Sequence, residues 1–262
     1  GKYNVYFGGA GYVIQNMPAQ DKWTMLTLTT TSARDVQFYI DGNLVNTITT
    51  GSDLQQDYNY YSNTLGYTHH TSTPQGGEMS FGEVQIYSTG LTATQVLQNF
   101  NATKYKYFYG RHGWHFNFNN TDQGSIVSGS VINLDAGDWD ADGTDETSFS
   151  GTAWSDKSGN NHHATLTNGP AYSSDNGGYF LFDGSDDFAT ITSNSSFQSL
   201  ADFSLEMWIY PVSVSDDEMI NLLYTSGSNY KWDLRFSSGS SRNFRWGVAN
   251  SSGGYASAQD LT

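Results

Sequence analysis

Two alternating runs and an Asp-Gly turn, all within Tyr179–Pro211, limit the fold more than any other stretch. Phe180 and Phe182 alternate with Leu181 up to Asp183-Gly184, and Leu205, Met207 and Ile209 alternate with Glu206, Trp208 and Tyr210 up to Pro211. Successive side chains of a strand point to opposite faces, so period-two alternation marks a half-buried strand. Asp-Gly between such runs is a strong turn signal.

The same grammar recurs along the chain. Tyr3, Val5 and Phe7 alternate before the GGAGY at 8–12, and TMLTLTTT at 24–31 is a Thr-rich strand pattern. Val36, Phe38 and Ile40 lead to Asp41-Gly42-Asn43, and Leu44 to Thr50 returns, which predicts a hairpin. FGEVQIY at 81–87 predicts a further strand. With 28 Gly, 18 Tyr, 15 Phe and 7 Trp, the composition suits short strands joined by tight turns. One short helix is predicted near 92–100: Thr92 and Gln95 form a capping box, with Leu91 and Val96 at the staple positions. Residues 105–118 are rich in aromatics, HFNFN at 115–119 predicts an extra strand, and 119–130 is a polar linker.

The wording "FDG, DF, a short loop, then DFSLEMWIYP" resembles the opening of a concanavalin A-like or laminin-G-like jelly-roll domain. From Val131, VINLDAG…AWSDKSGNNHHATLTNGPAYSSDNGGYFLFDG is similar to the amino-terminal half of laminin-G-like modules in tailed-phage virion proteins and bacterial surface proteins. DKWTMLTLTTTSARDVQFYIDGNLV…FGEVQIYSTGLTATQVLQNF resembles the second half of the same family, with Gly82 where the family carries an Asp before Glu83. The resemblance implies an all-β fold, an antiparallel jelly-roll sandwich. It also implies three divisions: residues 1–105 as the carboxy-terminal half, 106–130 as the aromatic segment and linker, and 131–262 as the amino-terminal half.

The halves thus stand in reversed order, and the ends overlap. Tyr3 to Tyr12, YNVYFGGAGY, parallels Phe244 to Tyr255, and Ala19-Gln20-Asp21 parallels Ala258-Gln259-Asp260. A circular permutant, a piece cut from a tandem array, and a subunit completed by its neighbour all fit this pattern. Because a bare half-sandwich leaves an apolar face and open edges, the last two are expected ahead of the first.

Composition narrows the function. A net charge of -15 argues against nucleic acid, whose phosphates call for a basic face, and against an anionic membrane. No apolar run reaches membrane-spanning length, so no membrane insertion is expected, and no signal peptide opens the chain at Gly1. The chain holds no cysteine, which excludes disulfides and thiol chemistry.

The strongest chemical signal is the loop carrying Asp138, Asp140, Asp142, Thr144, Asp145 and Glu146. Alternate carboxylates on a Gly-bent loop can converge on a hard cation, so Ca2+ is the expected ligand, with an acidic surface turn as the alternative. Asn101 and Asn119 open Asn-x-Thr triplets, a glycosylation signal only on a eukaryotic secretory route. The histidines fall in three pairs, His69-His70, His112 with His115, and His162-His163, none spaced to share a metal in a strand. Tyr60, Tyr61, Tyr67 and Trp114 are candidate stacking platforms for sugar, against the commoner fate of core packing.

Glu83 and Glu206 stand singly, no E-x-D-x-x-E string occurs, and no enzyme is expected. The family resemblance implies a non-catalytic structural or adhesive component of a virion or extracellular fibre, located on the virion surface or outside the cell. Its partners would be copies of itself or other virion or surface proteins. A calcium-dependent, lectin-like module binding cell-surface glycan is the alternative, and a concanavalin A-like hydrolase stands third.

Overall fold

The alternating runs become strands. The computed structural model describes residues 2–7, 10–14, 21–32, 35–49, 62–66, 77–109, 127–191, 202–213, 218–225, 229–237 and 243–248. The first part of the chain supplies β1 (Lys2–Phe7), β2 (Ala10–Ile14), β3 (Thr24–Ser32), β4 (Asp35–Ile40), β5 (Asn43–Thr49), β6 (Ser62–Leu65) and β7 (Glu78–Tyr87). After the helix α1 (Ala93–Tyr109) come β8 (Ser130–Asp135), β9 (Ala153–Trp154), β10 (Ala164–Thr167), β11 (Ala171–Ser173), β12 (Tyr179–Asp183) and β13 (Phe188–Ile191). The last strands are β14 (Ser204–Ser213), β15 (Glu218–Thr225), β16 (Asn229–Ser237) and β17 (Asn243–Val248).

They form two sheets, one in the order β2-β1-β17-β16-β15-β6-β13-β10-β9 and the other β11-β12-β7-β14-β3-β4-β5, with β8 also on β7. Strands from the two ends of the chain interleave in both. Met207 of β14 lies opposite Val84 of β7 on one side and Leu26 of β3 on the other. β6 likewise lies between β13 and β15. Each half therefore covers the edges that the other leaves, and the sandwich closes within one chain. Both edges of β14 have partners in its own chain, so the two halves pair with each other here.

Leu26, Phe38, Leu65, Phe81, Trp154 and Phe182 belong to one buried core cluster that draws on both sheets. Burial of each such side chain is worth ~1.5–3 kcal/mol. A bulge at Gly82 keeps β7 in register with that core. Ile209 pairs with Phe81 and Trp208 with Glu83, which leaves Gly82 unopposed. One extra residue reverses the alternation. Met79 and Phe81 before it, and Val84 and Ile86 after it, consequently all join the core.

On the other face of this sheet lies α1. Its capping box forms as the sequence predicts: Gln95 N donates to Thr92 Oγ1 at 3.3 Å and Thr92 N donates to Gln95 Oε1 at 2.9 Å. Leu91 and Val96 are both buried in one cluster. The helix runs to Tyr109, beyond the predicted 92–100, and the expected boundary between residues 105 and 106 falls inside it. The extension has a packing cause: Tyr107 stacks on Trp208 with ring centroids 4.5 Å apart and meets Trp23 at 4.9 Å. The strand expected at HFNFN lies outside the described residues.

A Cβ added at Gly82 would stand 2.2 Å from Cε1 of Tyr107, a buried ring with packed neighbours on its far side. Gly82→Ala is therefore expected to cost about 1–3 kcal/mol and to lower the thermal midpoint followed by circular dichroism. An unchanged midpoint would show that α1 does not press on the bulge.

Candidate functional site

The acidic loop follows β8 directly. Asp135 caps its first turn, accepting from Gly137 N at 2.9 Å. Asp138 is buried, with Oδ2 2.5 Å from Lys157 Nζ and Oδ1 accepting from Gly143 N at 3.2 Å. Asp140 Oδ1 accepts from Asp142 N at 3.2 Å. Asp142 Oδ1 accepts from the Thr144 hydroxyl at 2.6 Å and from Thr144 N at 2.7 Å, and these bonds hold its carboxyl below the usual range. Positive φ at Ala141 (64°) and Gly143 (91°) bends the backbone so that alternate residues face one another.

One carboxylate oxygen from each of Asp138, Asp140 and Asp142 lies within 4.8 Å of the others. Asp145 and Glu146 stand outside that group. The Glu146 backbone instead anchors the loop, its N donating to Gly137 O at 2.8 Å and its O accepting from Tyr172 OH at 3.0 Å. An oxygen-only donor set suits a hard cation. Lys157 already neutralises one member, so a cation would compete with an ammonium for Asp138.

Sequence reading missed a second acidic group, at the turn closing β12. Asp183, Asp186 and Asp187 also bring oxygens within 4.8 Å of one another. The string FDGSDDF reads first as a turn, and the turn uses the same carboxylates: Ser185 N donates to Asp183 Oδ1 at 2.8 Å and Asp183 N to Asp187 Oδ2 at 3.1 Å. Burial, with the neighbouring charges of Asp183 and Asp186, pushes the Asp187 carboxyl up.

The second miss is larger. Glu83 and Glu206, which stand singly in the sequence, share one network on the sheet face under α1. β7 and β14 are neighbours, with Gln85 opposite Glu206. Gln85 Nε2 donates to Glu83, Tyr87 OH donates to Gln85, and Asn99 Nδ2 donates to both Tyr87 OH and Glu206. Thr27 Oγ1 also donates to Glu206, at 3.0 Å. The cavity among Glu83, Gln85, Asn99, Thr103 and Glu206 is about 10 Å³, at the lower limit for one water. No sugar ring fits there.

Burial drives the electrostatics of this face. It pushes Glu206 up to about 8, with the hydrogen bonds from Asn99 and Thr27 opposing. Burial also raises Glu83, opposed by Lys106 at 4.0 Å, and raises Tyr87. Asp135 goes the other way: burial works against its charge, but Lys106 and Lys157 more than offset it.

Tyr60, Tyr61, Tyr67 and Trp114 lie outside the described residues, as do His69, His70, His112 and His115. His162 and His163 lie beside Asp156: Asp156 Oδ2 accepts from His162 N at 2.9 Å, and Asp156 N donates to His163 Nδ1 at 3.0 Å.

Two sheets, antiparallel among the described strands but for one pairing, closed on a shared core with a helix sealed to one outer face, define an all-β sandwich. Residues 1–97 match a laminin-G family model described as the Concanavalin A-like lectin/glucanases superfamily. That stretch, β1 to the start of α1, is thus similar to a laminin-G-like module of concanavalin A type. Neither the curated proteins nor the solved structures yielded a match.

The buried acid yields a pH prediction. Glu206 has a raised value in the fold, about 8, against ~4.3 unfolded. The native state therefore holds the extra proton, and stability falls as pH rises between those two values. Glu206→Gln keeps the shape, and its amide can donate to a reversed Thr27 hydroxyl. Urea titrations at pH 5 and pH 9 should show the wild-type chain losing stability at the higher pH by a few kcal/mol more than the variant. Equal losses would mean that Glu206 is ionised in the fold at neutral pH.

Proposed function

We propose that this chain is a non-catalytic structural or adhesive module of an extracellular fibre or virion surface, associating with copies of itself or with other surface proteins. The observation that carries the reading is the seal under α1. The two glutamates best placed for acid–base work are hydrogen-bonded into the packing, with no room for substrate. Laminin-G-like domains are generally non-enzymatic binding modules of surfaces and extracellular spaces, which fits. No described helix is long and apolar enough to cross a membrane. Since the two halves pair within one chain, association falls to the sheet margins, the usual template for pairing with another chain.

Sedimentation velocity of the pure chain over a hundredfold concentration range, with negative-stain imaging, tests this reading. Concentration-dependent polymers without added ligand are expected. A monomer at every concentration would overturn association as the function.

A calcium-dependent glycan-binding role is the second reading, favoured by the convergence of Asp138, Asp140 and Asp142. Calcium titrated into the chain calorimetrically is expected to bind at up to millimolar concentration and to lose at least tenfold in affinity in Asp140→Asn/Asp142→Asn. Absence of binding heat in the wild-type chain would leave the loop as a self-satisfied turn.

A further inference from the structure

We propose that the place beside β16 is an exchange site for a second copy of this chain: the β1–β2 hairpin of one molecule enters the sheet of another where β17 now lies. The inference deepens the association reading above and rests on it.

Two independent observations coincide. In sequence, YNVYFGGAGY at Tyr3–Tyr12 parallels the stretch from Phe244 to Tyr255. In the sheet, β1 lies parallel to β17 with Tyr3 beside Phe244 and Val5 beside Trp246. Each residue of β1 therefore stands next to its own equivalent. This is the one parallel pairing among the described strands.

Two equivalent strands suit the same place, and one molecule can seat only one of them. β17 holds it, antiparallel to β16, with Phe244 opposite Phe236 and Trp246 opposite Leu234. β1 is left outside in a parallel ladder, the slightly weaker kind. When β1 of another copy replaces β17, Tyr3 comes opposite Phe236 and Val5 opposite Leu234. β2 follows through its own antiparallel pairing, in which Val5 faces Tyr12. The exchanged sheet is antiparallel there throughout. A second copy is the fitting occupant because β1 is itself the sequence that matches the place. Donor hairpin and acceptor strand are different parts of the molecule, so the contact is heterologous and propagates unless a ring closes.

The chain has no cysteine, so an engineered pair reports cleanly. In full-length Val5→Cys/Leu234→Cys, exchange sets the two positions opposite each other, with Cα atoms about 4.5–5.5 Å apart and within disulfide reach. Inside one molecule β17 separates them by two strand spacings, roughly 9–10 Å, which is beyond that reach. Oxidation is expected to give a ladder of linked chains beyond the dimer, which a single cysteine cannot produce. Val5→Pro, which removes a ladder donor from β1, is expected to shift the sedimenting species to monomer while keeping the far-UV spectrum.

Unlinked or internally linked chains, in a protein whose wild type still polymerises, overturn the exchange and leave association standing. So does undiminished polymer in Val5→Pro, which decides the matter if the double variant does not fold. A wild-type chain that stays monomeric overturns both.

Discussion

The hydrogen bonds on Glu206 join three parts of the molecule that lie far apart in sequence. Glu206 comes from β14, its second donor Thr27 from β3, and Asn99 from α1. A carboxyl group removed from water costs several kcal/mol unless its oxygens are matched. Here the match requires all three elements at once. Asn99 is itself saturated: its amide donates to Tyr87 and Glu206, and its oxygen accepts from Val127 N at 2.8 Å. A shift of α1 by one turn would leave several of these groups buried and unmatched, so the network specifies where the helix sits more than it adds to stability.

The bulge at Gly82 is the counterpart of that network in the backbone. It turns the apolar residues of β7 to the core on both sides of one position, and so turns Glu83, Gln85 and Tyr87 toward α1. The missing side chain at Gly82 also seats Tyr107. Where the resembling family carries an Asp, this chain carries the residue that lets an aromatic ring lie on the strand.

Strands, Asp-Gly turns and the capping box were legible because each depends on neighbours in sequence. Phe180 and Phe182 are core residues, as their alternation predicts, and Thr92 and Gln95 cap α1. The alternation failed on the other face. Glu206 and Trp208 read as solvent-facing partners of Leu205, Met207 and Ile209, yet both are buried. Nothing local announces the helix that covers them, since Thr103, which takes the Trp208 Nε1 hydrogen at 2.8 Å, lies more than a hundred residues away. The length of α1 was hidden for the same reason: Tyr105 to Tyr109 have no amphipathic pattern clear enough to extend the helix, and Tyr107 is held by tertiary contacts. At the acidic loop, alternation correctly brought Asp138, Asp140 and Asp142 together, but not Asp145 and Glu146, because the turn at Gly143 redirects the chain.

The order of the halves, which made self-closure look improbable, has little thermodynamic weight once the sheets form. Loop closure costs only about 0.6 kcal/mol for each doubling of loop length, whereas two ladders along β14 bury Ser204 to Ile209 among its partners. Long separation is therefore a kinetic matter more than an energetic one. β14 must wait for β3 and β7, or they for it. During that interval the paired equivalents β1 and β17 face the same choice of partner, and the outcome turns on which copy of the strand arrives first. In the proposed exchange, the order of the segments sets which of the two equivalent strands takes the place beside β16.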